Sequence, residues 1–442
     1  MGTGSAQLSG SASGRPAGWA SGAVALALFL FSAGSARAQL AGPEFRVNTT
    51  TIDYQGHPVA ASDPAGGFIV VWDSNEQDGS GRGVYGQYFD ADGAPNGSEF
   101  QIHTYTTSSQ GIPALAADGA GNFVVTWTSY QQDGNGAGVF AERFVSGVPQ
   151  GEFQVNTTTL DDQKGVAAAA DPAGDTALVW WSVGQDGSGP GIVTRRFDGA
   201  GLPVLGEQLV NTFTTGGQVF PAVAAVGGGE FVVSWESDGR DGSAYGIAAR
   251  RIDAAGNPTG AEILVNSHTT GNQSRPAIAA SAAGGFVVVW MSNGQDGSGE
   301  GVFGRVFDSA GLPEGDDFRV NVTTLAAQIE PAIAADAGGG YLVTWESYDG
   351  DNHGIYGRFL SASGVPSSGE FQVNSFTTNY QKRPAVAPAG AGDFLVAWES
   401  SYQDASSLGI YAQRARRGLF LDGFESSDYC AWSTSVGGAA SC

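Results

Sequence analysis

An aspartate stands six positions after a tryptophan at Asp78, Asp133, Asp186, Asp241, Asp296, Asp351 and Asp404, in segments such as "WDSNEQDGSG" and "WMSNGQDGSG". The Gly-Ser-Gly or Gly-Asn-Gly that typically follows the aspartate lets such a loop bend its carbonyl oxygens around a hard cation, so calcium is the metal these residues suggest. Calcium takes about six to eight oxygens, and one carboxylate per loop needs help from carbonyls, water or a neighbouring loop. An Asp-Gly turn cap is the simpler reading of the same residues. Glu236, Glu346 and Glu399 each directly follow a tryptophan, and carboxylates converging at one end of a fold are what glycoside hydrolysis requires. Solvated acids are the default in so acidic a chain. A serine two positions after each tryptophan (Ser74, Ser129, Ser182, Ser237, Ser292, Ser347, Ser400) and a glutamine seven after each "VN" mark (Gln55, Gln110, Gln163, Gln218, Gln273, Gln328, Gln381) are read as partners of buried backbone groups. Catalytic nucleophiles need an activating base, and seven equivalent centres are not how enzymes are built. The four histidines, His57, His103, His268 and His353, share no metal-ligand spacing, and no nucleophile elbow or phosphate loop is present.

The elements that position these residues are legible as a repeat. The "VN" mark falls at Asn48, His103, Asn156, Asn211, Asn266, Asn321 and Asn374, and the tryptophan follows 24 positions later at Trp72, Trp127, Trp180, Trp235, Trp290, Trp345 and Trp398. The period is 53 or 55 residues, with all the variation after the tryptophan. Each period holds four strand signals separated by turn residues: "FQVN", "PAVAA", "FVVVW" and "GVFGRVFD". A strand such as "FVVVW" is apolar on both faces, and one sheet cannot cover it twice. Stacking the sheets around an axis does, which predicts an all-β, seven-bladed β-propeller of four-stranded antiparallel blades. A linear array of small sandwiches is weaker because each would have too little core, and a β-solenoid would use a shorter repeat. The last repeat lacks a fourth strand and the chain opens with an unpartnered "FRVN" at residues 45–48, so that strand is expected to close the ring as the outermost strand of the last blade. The seven tryptophans end the most apolar strand and are read as core, with each indole N–H bonded to a carbonyl; a sugar platform would need the rings exposed.

The chain ends read differently. Arg15, an apolar run over residues 22–31 and "ARA" at 36–38 predict a signal peptide over residues 1–38, the propeller over 39–417 and a tail over 418–442. Losing that leader removes two arginines and no acid, taking the formal charge from -24 to -26. Such a surface excludes nucleic acid as a partner, and no integral membrane span remains after cleavage. Cys430 and Cys442, both in the tail, are expected to form a disulfide in an oxidising compartment.

Segments such as "GEFQVNTTT" and "QSRPAIAASAAGGFVVVWMSNGQDGSGEGVFGRVFDSAG" resemble a repeat of large secreted or surface proteins of bacteria, sometimes found with calcium-binding or adhesive modules. The tail "LFLDGFESSDYCAWSTSVGG" is similar to a short C-terminal element of secreted gammaproteobacterial proteins. The resemblance implies an extracellular or outer-surface location. With the absence of an evident reaction centre, it leads to a binding or scaffold protein whose partner is a cell-surface glycan or protein. It leaves open whether the protein is adhesive and calcium-stabilised; no other cofactor is implied. The alternative is a propeller-type carbohydrate-active hydrolase using nonrepeated carboxylates around one channel mouth.

Overall fold

The computed structural model describes Met1 and residues 38–63, 66–390 and 392–417; the chain divides between Gly34 and Ser35, and the second unit carries the fold. The leader expected over 1–38 and the tail over 418–442 lie outside the described residues, except for Met1 and for Ala38, which begins a strand. The disulfide expected between Cys430 and Cys442 is withdrawn: no disulfide is present among the described residues, and both cysteines lie outside them.

Alternating strands and glycine turns build seven antiparallel sheets, the expected seven-bladed β-propeller. Blade 1 consists of Gln55–Ser62, Phe68–Asn75, Arg82–Phe89 and Phe100–Gln101, in that order from the innermost strand outward. The next five blades repeat it, the second with an extra Val148–Pro149 strand on its hairpin. The innermost strands, beginning at Gln55, Gln110, Gln163, Gln218, Gln273, Gln328 and Gln381, neighbour one another in sequence, and the seventh neighbours the first. Blade 7 is Gln381–Pro388, Asp393–Ser401 and Leu408–Arg417, completed by Ala38–Arg46, which pairs Phe45 with Ala412 and Arg46 with Tyr411. The ring is therefore closed by the N-terminal strand.

The second strand of each blade is buried almost throughout because both its faces meet neighbouring blades. Seven apolar clusters result, one per blade junction, and each is centred on one of the seven tryptophans, all at 0% exposure. The indole N–H groups, expected to find carbonyls, have no partner in any blade, so the rings serve as volume rather than as donors.

The two 53-residue periods have different origins. In repeat 2 the hairpin after the third strand is shortened, running from Phe144 to Phe153 where repeat 1 runs from Phe89 to Phe100. In repeat 6 it is the loop after the tryptophan that is shorter, so that His353 rather than a residue two later opens the third strand.

Candidate functional site

The "VN" asparagine organises the loop that follows the tryptophan. Asn266 accepts the Ile247 N–H on Oδ1 at 2.7 Å, and its Nδ2 faces Asp241 Oδ2 at 3.0 Å, His268 O at 2.9 Å and Gln273 Oε1 at 3.2 Å. The other oxygen of Asp241 accepts the Ser243 N–H at 3.0 Å, an Asx turn inside the glycine loop. The same arrangement joins Asn156 to Asp133, Asn211 to Asp186 and Asn321 to Asp296. In blade 1 His103 replaces asparagine and keeps both contacts: Nδ1 accepts the Val84 N–H at 3.0 Å, and Nε2 meets Asp78 Oδ2 at 2.9 Å. Asp404 accepts the Ser406 N–H at 3.0 Å on one oxygen, while its other has no partner.

Repeat 6 departs from expectation. Its shortened loop hands the cap to Asp349, which accepts the N–H groups of Asp351 and Asn352, while Asp351 itself accepts the Asn379 N–H at 2.8 Å. The seven aspartates are thus not equivalent. Among the described residues no group of three or more His, Cys, Asp or Glu gathers as metal ligands do. The repeated glutamines do bond backbone, as Gln273 does to Thr270 O at 3.0 Å. The serines do not follow the same reading, since the hydroxyls of Ser74, Ser129, Ser182, Ser237 and Ser292 are buried without a partner. Each lies opposite the first residue of the inner strand, as Ser74 does Gln55, and its small size is what the position uses.

A second repeated contact ties blade to blade. The acid four positions before each "VN" mark reaches back to the residue after the preceding mark: Glu99 accepts the Thr49 N–H at 2.7 Å, Glu152 that of Thr104 at 2.6 Å and Glu370 that of Val322 at 2.7 Å. Glu207, Glu262 and Asp317 do the same for Thr157, Thr212 and Ser267. Glu44 completes the set by accepting the Ser375 N–H at 2.7 Å, so the closing strand carries its own latch. Burial pushes the Glu99 carboxyl up, but the bonds from Thr49, Thr50 and Gln77 outweigh it and hold the group below its usual range.

The mouth of the central channel uses the same backbone in every blade and different side chains. Every inner strand slips register two residues after its glutamine, for example between Gly56 and Val59, and the slip is a β-bulge. The bulged residues are His57, Ile112, Gly165, Phe220, Arg275, Glu330 and Arg383, all at φ between 49° and 61°. Only glycine takes that conformation freely; each of the other six costs on the order of 1–3 kcal/mol, and a proline follows each of them, restricting the residue further.

At five of the seven junctions the side chain just after the tryptophan faces this bulge from the preceding blade. Four of the five are carboxylates that take the N–H the bulge removes from the ladder: Asp73 from Ile112 at 3.0 Å, Glu236 from Arg275 at 2.6 Å, Glu346 from Arg383 at 2.8 Å and Glu399 from His57 at 2.8 Å. Met291 offers sulfur to Glu330 N–H at 3.4 Å. Thus Glu236, Glu346 and Glu399, singled out from the sequence, are brought to one end of the fold, but as buried carboxylates rather than solvated acids.

The bulge residues and the prolines after them line an open cavity of about 510 Å³. One side is formed by Ile112, Val166, Trp181 and Phe220, with the Lys164 side chain beside them. The other carries His57, Arg275, Glu330 and Arg383. Arg275 lies 3.8 Å over the Phe220 ring and 3.4 Å from Glu330 Oε1; Arg383 is bonded to both oxygens of Glu399 at 3.0 and 3.3 Å. His57 Nδ1 meets Asp73 Oδ2 at 3.0 Å. Burial, followed by the opposing pull of the Arg275 guanidinium and the repulsion of Glu346, leaves the Glu330 carboxyl above its ordinary range. Burial pushes Glu236 up to about 7, against the bond from the Arg275 N–H. The bulge residues were not singled out from sequence, although the pattern Q-x-X-P with a changing X is visible in six repeats.

No protein-family model matches the sequence, nor does any curated protein. Among solved structures, a Dyadobacter fermentans protein of unknown function superposes with a TM-score of 0.54 at 10% identity, over 86% of this chain and 99% of that one. An α-L-arabinanase of Penicillium chrysogenum complexed with arabinobiose gives 0.48 at 13% identity, covering 68% and 92%. The β-propeller domain of the Trilobed protease of Pyrococcus furiosus gives 0.47 at 7%, covering 83% and 94%. At these identities the likeness is one of fold.

Proposed function

We propose that this chain is a carbohydrate-active protein that takes a saccharide at the mouth of its central channel and hydrolyses it with Glu330 as proton donor. The observation that supports this most is the meeting, in one cavity, of an aromatic and aliphatic wall with a carboxyl that keeps its proton above the usual range. Sugar rings present apolar faces to aromatic side chains, and a glycosidic oxygen needs a proton as its bond to the anomeric carbon breaks. Glu330 is about one-third exposed and lines the cavity, so it is accessible in a way that the fully buried Glu399 is not. The Glu330 proton passes to the glycosidic oxygen as its bond to the anomeric carbon breaks; water adds to that carbon, and the proton it sheds returns through solvent to the Glu330 carboxylate. The nearby Glu346 and Glu399, felt electrostatically by Glu330, favour the positive charge that develops on the ring.

The binding-module reading has its own support: four carboxylates at the mouth are committed to backbone N–H groups. A polysaccharide screen with the wild type and Glu330→Gln separates the two. Hydrolysis that falls at least a hundredfold in the variant, with an unchanged melting temperature, supports the acid. Saccharide binding without turnover by the wild type leaves the module and removes the hydrolase.

A further inference from the structure

The channel mouth inverts the charge of the molecule around it. The chain holds 44 acidic and 20 basic residues, and a cavity placed on it at random would be bordered mainly by acids. Here the acids just after the tryptophans are turned inward: the side chains of Asp73 and Glu399 are 0% exposed and that of Glu346 4%. The guanidinium-bearing side chains of Arg275 and Arg383 are 41% and 45% exposed, and both line the cavity. The chain places them there through the strained bulge, at φ of 52° and 49°, where an arginine gains nothing that glycine would not supply more easily.

Their arrangement is also specific. Arg275 belongs to blade 5 and Arg383 to blade 7, with Glu330 between them on blade 6, and the Glu330 carboxyl senses both cations. The Arg275 guanidinium carbon lies 3.8 Å from the centre of the Phe220 ring, and Arg383 Nη1 donates to both oxygens of Glu399. A pre-oriented guanidinium presents paired N–H donors that match a carboxylate, which lysine cannot do. Arg275 meets Glu330 Oε1 through Nε at 3.4 Å and its side chain is 41% exposed, so its terminal N–H donors are open to an anion brought by a ligand.

From this we infer that the saccharide taken at the mouth is anionic, a uronate-type sugar whose ring carboxylate is held by Arg275 and Arg383 on either side of Glu330. The inference rests on the proposed saccharide site and names its substrate class. An exposed acidic surface would repel such a polymer at long range while the cations at the mouth attract it, so affinity should weaken as salt rises.

The test uses the purified chain and short oligomers of galacturonate, glucuronate and mannuronate, each with its methyl-esterified, neutral counterpart. Calorimetry measures binding, and released reducing ends measure turnover. The expected result is at least tenfold tighter binding of one acid form than of its ester, a preference lost in Arg275→Gln and Arg383→Gln and partly restored in Arg275→Lys. Melting temperatures of the variants within a few degrees of wild type establish that the ring is intact. Equal or tighter binding of the ester, or an acid preference that both arginine variants retain, overturns the inference while leaving a Glu330-dependent hydrolase standing. Arginine-dependent binding of the acid form without turnover supports the inference and overturns the hydrolysis. Neither form bound nor cleaved overturns both.

Discussion

The loop latch and the channel mouth occupy the same end of every blade, yet they are built on opposite rules. In the latch, position and residue type repeat together: Asn156, Asn211, Asn266 and Asn321 make the same bonds to equivalent aspartates and glutamines. At the mouth the backbone repeats while the side chain changes, from His57 through Ile112, Gly165, Phe220, Arg275 and Glu330 to Arg383. Where a side chain holds the frame, substitution leaves a buried group unpaired, so repetition is enforced by stability. A side chain that points into an open channel touches no such constraint. Sequence variation inside a repeat is therefore a sign of use, and uniformity a sign of support.

That division can be broken most severely at the ring closure. Removing residues 38–46 strips blade 7 of its outer strand and removes the Glu44 latch to Ser375. We expect the melting temperature of the whole propeller to fall by more than about 10 °C, measured by calorimetry, because an open blade exposes its neighbours in turn. A variant melting as the wild type does would mean that the frame does not depend on closure.

Next in size is a single latch residue. Asn266→Ala leaves the Ile247 N–H and the Gln273 amide without their buried partner and should cost about 2–4 kcal/mol in urea unfolding. Glu236, at the junction of frame and mouth, should show itself through pH. Its folded pKa of about 7 lies above the ordinary 4.5, so the folded state binds more protons between those values. Stability must then fall as pH rises from about 4.5 to about 7, by up to about 3 kcal/mol from this group. Glu236→Gln keeps an acceptor for the Arg275 N–H and should flatten that fall; an identical pH profile would remove the assignment. The smallest effect belongs to the mouth itself. Arg275→Gln touches a half-exposed ion pair and should change unfolding stability by less than about 1 kcal/mol.

Much of the frame was legible because it is periodic. The tryptophan spacing, the two-faced apolar strand and the unpaired segment at residues 45–48 led directly to the closed ring. Periodicity failed where the chain deletes two residues without announcing where: Asp351 fits the count in repeat 6, yet Asp349 fills the place. The serines were misread because composition cannot tell a hydroxyl chosen for bonding from one chosen for size. At the mouth, the acids after Trp235, Trp345 and Trp398 were visible, but their partners were not. The bulge that turns Arg275, Glu330 and Arg383 into the channel is a backbone conformation, and its only trace in sequence is a proline after a residue that never settles on one type.

The closing strand also has a consequence in time. Arg46 is synthesised early but pairs with Tyr411, so its sheet cannot exist until some 365 further residues have been made. Joining ends so far apart costs about 5 kcal/mol of chain entropy if the intervening chain is still disordered. Blades 1 to 6 draw each strand from nearby sequence and can form first, and each one that forms shortens the effective separation. The seventh blade is then the last and slowest to assemble, and until it does the early strand waits with its edge uncovered.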